Sequence, residues 1–183
     1  RDFHPALGEI RERHRALIRE LYPGGNGVDA KIEAILRELE QVLTGIALVT
    51  ELTSKTLDRI LSMGERMSSN LIAPYLGATL VDSAGLIVTD SSFGKAAVDF
   101  SMTTFRIGEA LGDFHGKALA PGFIARSKDG DYTTLGRGGS DYSASIFAAI
   151  LGAESLEIWT DVDGFMTADP RVIDNAYTIP HLT

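Results

Sequence analysis

A nine-residue stretch at 135–143 holds three glycines, one arginine and a serine–aspartate pair, and an apolar run follows it at once. Glycines let a backbone turn tightly and approach a ligand closely. We expect Ser140 or Asp141 to cap the helix that the apolar run predicts, whose first N–H groups attract an anion. Arg137 adds a planar fork that suits a carboxylate or a phosphate. The stretch therefore predicts a tight turn into a helix and a pocket for a small anionic ligand.

The same stretch is open to a simpler interpretation, because a glycine-rich turn before a capped helix also occurs where no ligand binds. It is not the dinucleotide-binding motif G-x-G-x-x-G, since Asp141 stands at the place of the third glycine. No G-x-x-x-x-G-K-[ST] phosphate-binding loop occurs anywhere in the chain. The sequence thus excludes these two nucleotide-binding loops and leaves an anion pocket and an ordinary turn as alternatives.

Helical periodicity and short apolar runs alternate along the chain. This alternation predicts an α/β fold with a largely parallel sheet. The first two helices are separated by a turn at 23–27 and are predicted to form a helical hairpin within residues 1–48, with a scaffold role favoured over a lid or a dimer surface. Helices are expected at Leu7–Leu21, Ile32–Ile46 and Leu57–Leu76, and strands at Ala78–Val81, Leu86–Thr89, Ala118–Ala125 and Ser155–Val162.

Composition excludes several classes of protein. Acidic side chains outnumber basic ones by 25 to 17, a net charge of −8, which argues against nucleic acid and anionic membranes as partners. The chain has no cysteine, which excludes disulfides and thiolate metal sites, and no apolar run near the roughly 18 residues of a membrane span. The four histidines lack the spacing of metal ligands. We expect a cytoplasmic protein with no metal site built from its side chains.

Two further segments combine acidic residues with a glycine. Residues 158–171 read IWTDVDGFMTADPR, and residues 62–68 read SMGERMS. Together with LGRGGSDYSA at 135–144, they resemble three signature motifs of aspartokinases, which belong to the amino-acid kinase family. Their order and spacing are similar to the family's, so the combined signal is more specific than any single motif. The tail at 176–180 is most similar to the kinase part of bifunctional aspartokinase–homoserine dehydrogenases.

The resemblance implies a three-layer α/β/α sandwich of the amino-acid kinase type, of which residues 1–183 form a part. Aspartokinases begin with a strand that carries a K-F-G-G-T-S motif and have a later F-G-A-K motif, and neither motif occurs here. We therefore expect the chain to be the middle of a kinase catalytic domain. Because those motifs supply the lysines that stabilise the transition state, we expect the 183 residues alone to be inactive.

The resemblance also implies the reaction. ATP and Mg²⁺ serve to phosphorylate the β-carboxylate of L-aspartate to 4-phospho-L-aspartate, the first step towards lysine, threonine and methionine. A carboxylate is already ionised at neutral pH, so the reaction needs no general base. The catalyst must hold two anions in line and neutralise the charge of the phosphoryl group. A homo-oligomer is expected for such an enzyme.

Candidate ligands of aspartate come from two of the three motifs. A glutamate on a helix is usually a solvated charge. Glu65 becomes the candidate acceptor for the ammonium group because Gly64 beside it is expected to let another backbone approach the helix. Arg137 is the candidate fork for the α-carboxylate, helped by Ser140, by Gly139 and by nearby backbone N–H groups.

The remaining candidates act around the phosphoryl group. Asp141, the candidate catalytic residue, is expected to orient the lysines of the absent motifs and to help seat the amino group. The resemblance places Thr160 and Asp161 near the sugar and base of ATP, Met166 against the nucleotide and Arg171 on a phosphate. From the residues alone, a turn that ends a strand and a surface ion pair of Arg171 are the favoured interpretations.

Two other functions remain open. Other members of the same family act on glutamate, acetylglutamate or UMP, and the Glu65 motif and the 137–141 stretch favour aspartate over these acceptors. A non-catalytic ligand-binding or assembly module is the alternative from another class, which the absence of the lysine motifs favours for these 183 residues. A screen of phosphate acceptors distinguishes an aspartokinase from the other kinases of the family. The flanking sequence distinguishes a kinase from a non-catalytic module.

Overall fold

The computed structural model describes residues 2–160 and 164–181, and the chain divides into two compact units, 1–153 and 154–183. In the described part of the chain, no helix is both long and apolar enough to cross a membrane. The helices are α1 (His4–Leu21), α2 (Val28–Val49), α3 (Ser54–Tyr75), α4 (Ser83–Leu86), α5 (Phe100–Leu111) and α6 (Gly139–Leu151). The strands are β1 (Thr79–Leu80), β2 (Val88–Thr89), β3 (Ala118–Leu119), β4 (Ile124–Ser127) and β5 (Tyr132–Thr134).

The first three helices share the larger of two buried clusters. Pro5 lies in the first turn of α1, where an N–H would have no helical partner, and Thr53 caps α3 by accepting a hydrogen bond from the Thr56 N–H at 3.1 Å. All three predicted helices are present, and each begins three or four residues before its first predicted position. Their common core consists of Leu7, Val28, Ile32, Ile35, Leu36, Leu39, Met63, Met67 and Leu71.

The strands form two short sheets with mostly parallel pairing. β1 pairs in parallel with β3, with Thr79 opposite Ala118, and β2 pairs in parallel with β4. β5 returns antiparallel to β4 through a tight hairpin, in which the Ser127 N–H donates to the Asp131 carbonyl. The α/β class with a largely parallel sheet is confirmed, and the strands are shorter than predicted. The second buried cluster consists of Ile87, Ala125 and Leu135.

The structure differs from the prediction in several places, among them the strand predicted at 118–125, which is divided between β3 and β4. The run at 86–89 is divided between the end of α4 and β2. Helix α5 was not predicted, although Asp99 caps it by accepting a hydrogen bond from the Met102 N–H at 3.1 Å. The strand predicted for 155–162 is absent over 155–160, because no described backbone group pairs with residues 155–159, and its last two positions lie outside the described residues.

Candidate active site

The glycine-rich stretch forms the loop that joins β5 to α6. Gly136 and Gly138 have φ angles of 75° and 74°, a left-handed conformation that residues with a Cβ rarely adopt. Position 139 has no room for a side chain, since a Cβ there would lie 2.9 Å from Phe123 Cδ2 and 3.1 Å from Leu135 Cβ. Two of the glycines therefore serve the turn, and the third allows close packing.

The start of α6 differs from the capped helix that we predicted. Gly138 is the N-cap and no side chain caps the helix, so that Ser140 and Asp141 are its second and third residues. A capping side chain has to lie just before the first helical residue, and the left-handed turn at Gly138 starts the helix too early for either residue to cap it. The predicted capping is wrong. Both side chains are exposed in the first turn, where uncapped N–H groups favour an anion.

Phe123, which the sequence analysis missed, lies against this loop. Its φ of 69° is strained for a residue with a side chain. The Phe123 N–H donates to Ser143 Oγ at 2.9 Å, and Ser143 Oγ in turn donates to the Gly139 carbonyl at 2.7 Å. The Phe123 carbonyl accepts from the Leu135 N–H at 3.0 Å. Strained residues held in this way cluster at functional sites, and the only sequence signal was the proline–glycine pair before Phe123.

Gly122 brings the turn before β4 into contact with the start of α6. A Cβ on Gly122 would lie only 2.9 Å from the Ser140 Cα and 3.3 Å from its carbonyl oxygen. The two backbones therefore touch, and the loop between them is fixed by contacts within the first unit. Arg137 and Asp141 are exposed on this fixed backbone.

Glu65 is half-buried on α3, and this burial raises the pKa of its carboxyl. The prediction that Gly64 lets another backbone approach is wrong for the described residues, because Gly64 is exposed and nothing lies within 4 Å of a Cβ placed there. The buried side of α3 carries Met63 and Met67 instead. The partial burial of Glu65 therefore does not come from close packing at its neighbour.

α3 and the glycine-rich loop are connected through β5. The Arg66 guanidinium lies 5.2 Å from the centre of the Tyr132 ring, and the Asp58 carboxylate accepts hydrogen bonds from Thr134. Among the described residues, no hydrogen bond or ion pair joins the Glu65 carboxylate to the loop itself. The candidates that the structure places together on the loop and the start of α6 are Arg137, Gly139, Ser140 and Asp141.

The second unit contains the candidates for the nucleotide. Met166 is half-buried and belongs to an isolated antiparallel bridge. Arg171 exposes 81% of its side chain, and its Nε lies 3.1 Å from Asp169 Oδ1. This contact is the surface ion pair that the residues alone favoured. Thr160 is exposed, and Asp161 lies outside the described residues.

Known proteins resemble the chain over nearly all of its length. Residues 10–183 match the model of the amino acid kinase family. Aspartokinase 1, chloroplastic, of Arabidopsis thaliana is 35% identical over 189 residues, which cover 97% of this chain and 32% of that protein. The bifunctional aspartokinase/homoserine dehydrogenase of Haemophilus influenzae is 32% identical over 163 residues, 86% of this chain and 20% of that protein.

A solved structure extends the similarity to the fold. The crystal structure of Escherichia coli aspartokinase III in complex with aspartate and ADP matches with a TM-score of 0.84 and 33% identity, over 94% of this chain and 40% of that one. The chain spans less than half the length of the curated relatives that it matches. The predicted resemblance to aspartokinases is confirmed, with bifunctional enzymes among the relatives. The chain belongs to the amino acid kinase family.

Proposed function

We propose that the full-length protein is an aspartokinase, which transfers the γ-phosphoryl group of ATP to the β-carboxylate of L-aspartate on the route to lysine, threonine and methionine. The proposal is carried by two opposite charges, the half-buried carboxylate of Glu65 on α3 and the exposed guanidinium of Arg137 on the glycine-rich loop, two elements that the hydrogen bonds from Thr134 of β5 to Asp58 connect. An amino acid with one ammonium and two carboxylates is complementary to such a pair. The similarity to the aspartokinases of Arabidopsis thaliana and Escherichia coli supports this function.

Aspartate would be held at its α-carbon, which leaves its β-carboxylate to face the phosphoryl donor. Glu65 accepts hydrogen bonds from the ammonium group, and partial burial strengthens this attraction because less water screens it. Arg137 binds the α-carboxylate with its planar fork, helped by the Ser140 hydroxyl and the N–H groups at the start of α6. Gly139 supports this backbone from behind, because it leaves room for Phe123 and Leu135 to pack against it. A strained, fixed loop suits this task because it needs little reordering on binding.

The nucleotide would bind to the second unit. Thr160 and Asp161 contact the sugar and base, Met166 lies against the nucleotide, and Arg171 contacts a phosphate. An exposed guanidinium suits this role, since the phosphate replaces Asp169 as its partner. Mg²⁺ bound with ATP would neutralise the negative charge of the phosphates, and it would take few ligands from the protein.

The reaction itself depends on positioning, because the attacking carboxylate needs no base. Asp141 lies in the first turn of α6 next to the aspartate-binding groups. Its carboxylate orients the lysines that other parts of the kinase domain supply, and these lysines neutralise the charge of the moving phosphoryl group. The chain considered alone lacks those lysine motifs, so the 183 residues alone are expected to show no turnover.

A screen of acceptors tests the proposed function. The full-length protein is given ATP, Mg²⁺ and, in turn, aspartate, glutamate, acetylglutamate or UMP, and ADP formation is measured. We expect aspartate to be preferred by at least about a hundredfold in kcat/KM. Preference for another acceptor would assign the protein to a different branch of the family, and binding without phosphoryl transfer would favour a non-catalytic module. The proposal includes a homo-oligomer in the cytoplasm, which sedimentation and cell fractionation test.

A further inference from the structure

Asp58 is a buried carboxylate on α3 that the proposed reaction does not use. It is 1% exposed. Its Oδ2 accepts hydrogen bonds from the Gly94 N–H at 2.8 Å and the Thr134 N–H at 3.0 Å, and its Oδ1 accepts one from the Thr134 hydroxyl at 2.9 Å. No described residue forms an ion pair with Asp58. Because a buried carboxylate without a cation is unfavourable unless its oxygens are hydrogen-bonded, these donors hold it in place.

The three hydrogen bonds connect α3 to two other segments at once. Thr134 is the last residue of β5, so it stands directly before the glycine-rich loop. Gly94 belongs to a turn at 92–96 that lies against the same loop. A Cβ on Gly136 would be 3.3 Å from the Gly94 carbonyl oxygen and 3.2 Å from Lys95 Cγ. Asp58 therefore lies where α3, the 92–96 turn and the start of the loop meet.

The position of Asp58 along α3 relates it to Glu65. Seven residues separate the two, which is about two helical turns, so both lie on the same side of the helix about 10 Å apart along its axis. Closer to the start of α3, Lys55 Nζ lies 2.6 Å from Asp131 Oδ2, a contact that reaches only the tip of the β4–β5 hairpin. The hydrogen bonds of Asp58 reach the end of β5, from which the loop begins.

We propose that Asp58 is a positioning residue, which fixes the distance between the ammonium acceptor Glu65 and the carboxylate fork Arg137. The inference rests on the proposed function, in which these two groups hold the α-carbon of aspartate. A misplacement of about 1 Å in such a site can reduce the rate a hundredfold. Without the Asp58 carboxylate the loop shifts against α3, and aspartate binding weakens. The nucleotide candidates lie in the other unit, so ATP binding stays as it was.

The donor set of Asp58 predicts the behaviour of each substitution. Asp58→Ala removes every acceptor. Asp58→Asn keeps the size, since its amide oxygen accepts from both N–H groups and its NH₂ donates to the Thr134 hydroxyl, which then accepts. Thr134→Val removes the hydroxyl bond alone. Thr103→Val is the matched control, because Thr103 is also fully buried and its hydroxyl oxygen accepts from the Val88 N–H at 3.0 Å, between α5 and β2.

The experiment uses the full-length protein with each substrate varied in turn. We expect Asp58→Ala to raise the KM for aspartate at least about tenfold and Thr134→Val about threefold, with the KM for ATP within about twofold of wild type. Asp58→Asn and Thr103→Val keep the wild-type KM for aspartate. Amide hydrogen exchange tests, without any substrate, whether Asp58 holds the 92–96 turn and the glycine-rich loop in place. In Asp58→Ala, peptides over 92–96 and 134–139 lose protection, and in Thr103→Val they keep it.

Two outcomes overturn the inference: equal rises in both Michaelis constants, or unchanged protection over 92–96 and 134–139 in Asp58→Ala. If that variant does not fold, Thr134→Val is compared with Thr103→Val, and equal behaviour of the two overturns it. A wild-type protein that does not phosphorylate aspartate contradicts the proposed function instead. Hydrogen exchange then still decides whether Asp58 anchors the loop.

Discussion

The glycine-rich loop of the first unit and the 165–179 segment of the second are held in shape by different means. Around the loop, backbones and side chains approach so closely that Gly122 and Gly139 have no room for a Cβ. The 165–179 segment is closed by backbone hydrogen bonds near one isolated bridge, such as that from the Thr167 N–H to the Tyr177 carbonyl at 3.0 Å, and most of its residues are exposed. Close packing therefore fixes the conformation of the loop, whereas a few backbone hydrogen bonds fix the conformation of the 165–179 segment.

This difference predicts how the two regions respond to a ligand. Arg137 stands exposed on a backbone that is already fixed, so an anion bound there would cost little backbone entropy. Arg171 is an exposed side chain beside Asp169, so a phosphate has to replace a carboxylate that is already there. We expect substitutions in the loop to have larger effects than substitutions in the segment.

The largest effect is expected for Gly139→Ala. The new methyl group would lie 2.9 Å from Phe123 Cδ2 and 3.1 Å from Leu135 Cβ, so the ring or the loop must move. We expect a loss of about 1–3 kcal/mol in the free energy of unfolding, and most of the turnover with it. Urea denaturation and an ADP assay measure both. Gly8→Ala, on α1 with nothing within 4 Å, is the control, and equal stability of the two variants would contradict the close packing of the loop.

Glu65→Ala and Arg137→Ala come next. Each would remove one proposed charge-assisted contact to aspartate, worth about 1.5–3 kcal/mol, which corresponds to a loss of about 10–150-fold in kcat/KM for aspartate. The KM for ATP should hardly change, because neither residue belongs to the second unit. Steady-state kinetics with each substrate varied provide the measurement, with Glu9→Ala on the exposed face of α1 as control. Similar changes for both substrates would speak against the assignment.

Asp141→Asn is expected to lower turnover about tenfold, which is more than it changes the KM for aspartate. Asparagine keeps the size of the side chain but loses the charge that is proposed to orient the lysines, and misplaced cations stabilise the transition state poorly. Single-turnover rates and circular dichroism of the full-length variant measure the effect. A rate within about threefold of wild type, with the fold intact, would remove Asp141 from the catalytic machinery.

The helices and the α/β class were predictable because periodicity records which side of an element is buried. Ile32, Leu36 and Leu39 recur at helical spacing along α2 and are all in the core. The start of α6 was not predictable in the same way. The sequence does not show which glycine of the stretch ends the loop, and the left-handed Gly138 becomes the N-cap in place of Ser140 or Asp141. Phe123 was missed since a positive φ leaves no mark on its own residue type.

Long-range contacts explain the remaining differences at the site. Asp58 has the sequence pattern of an exposed helical acid, and it is buried by the approach of Gly94 and Thr134, 36 and 76 residues later. The open space at Gly64 likewise depends on what surrounds the helix. The motif match identified Arg137 and Glu65 as candidates through resemblance, which requires no knowledge of these contacts.

A smaller effect is expected for Arg171→Ala in the second region. Because exposed ion pairs contribute at most about 1 kcal/mol, the free energy of unfolding should change little. The KM for ATP should rise severalfold while the KM for aspartate stays the same, which is the reverse of the pattern for Arg137. Asp169→Asn is the matched variant, since it removes the competing carboxylate and is expected to leave ATP binding intact or tighter. An effect of Arg171→Ala on aspartate alone would contradict the division of roles between the two regions.

The smallest effect concerns the protonation of Glu65. Burial raises the pKa of this carboxyl, so the folded protein takes up its proton at a higher pH than the unfolded chain does. Stability is therefore greatest below the usual glutamate pKa and falls as the pH rises through the raised pKa. Because the side chain is only half-buried, the loss amounts to a few tenths of a kcal/mol, at most about 1. The melting temperature of Glu65→Gln should equal that of wild type at low pH and slightly exceed it at neutral pH.

The same titration acts on substrate binding with the opposite sign. An ammonium acceptor has to be ionised, so the KM for aspartate should rise as the pH falls through the raised pKa of Glu65, and Glu65→Gln should have a high KM without this inflection. These two opposite pH dependences together would show that the charge of Glu65 serves the ligand rather than stability. If the glutamine variant keeps the inflection of the wild type, the ammonium group is held by another acid, and the loop alone would remain as the preformed part of the site.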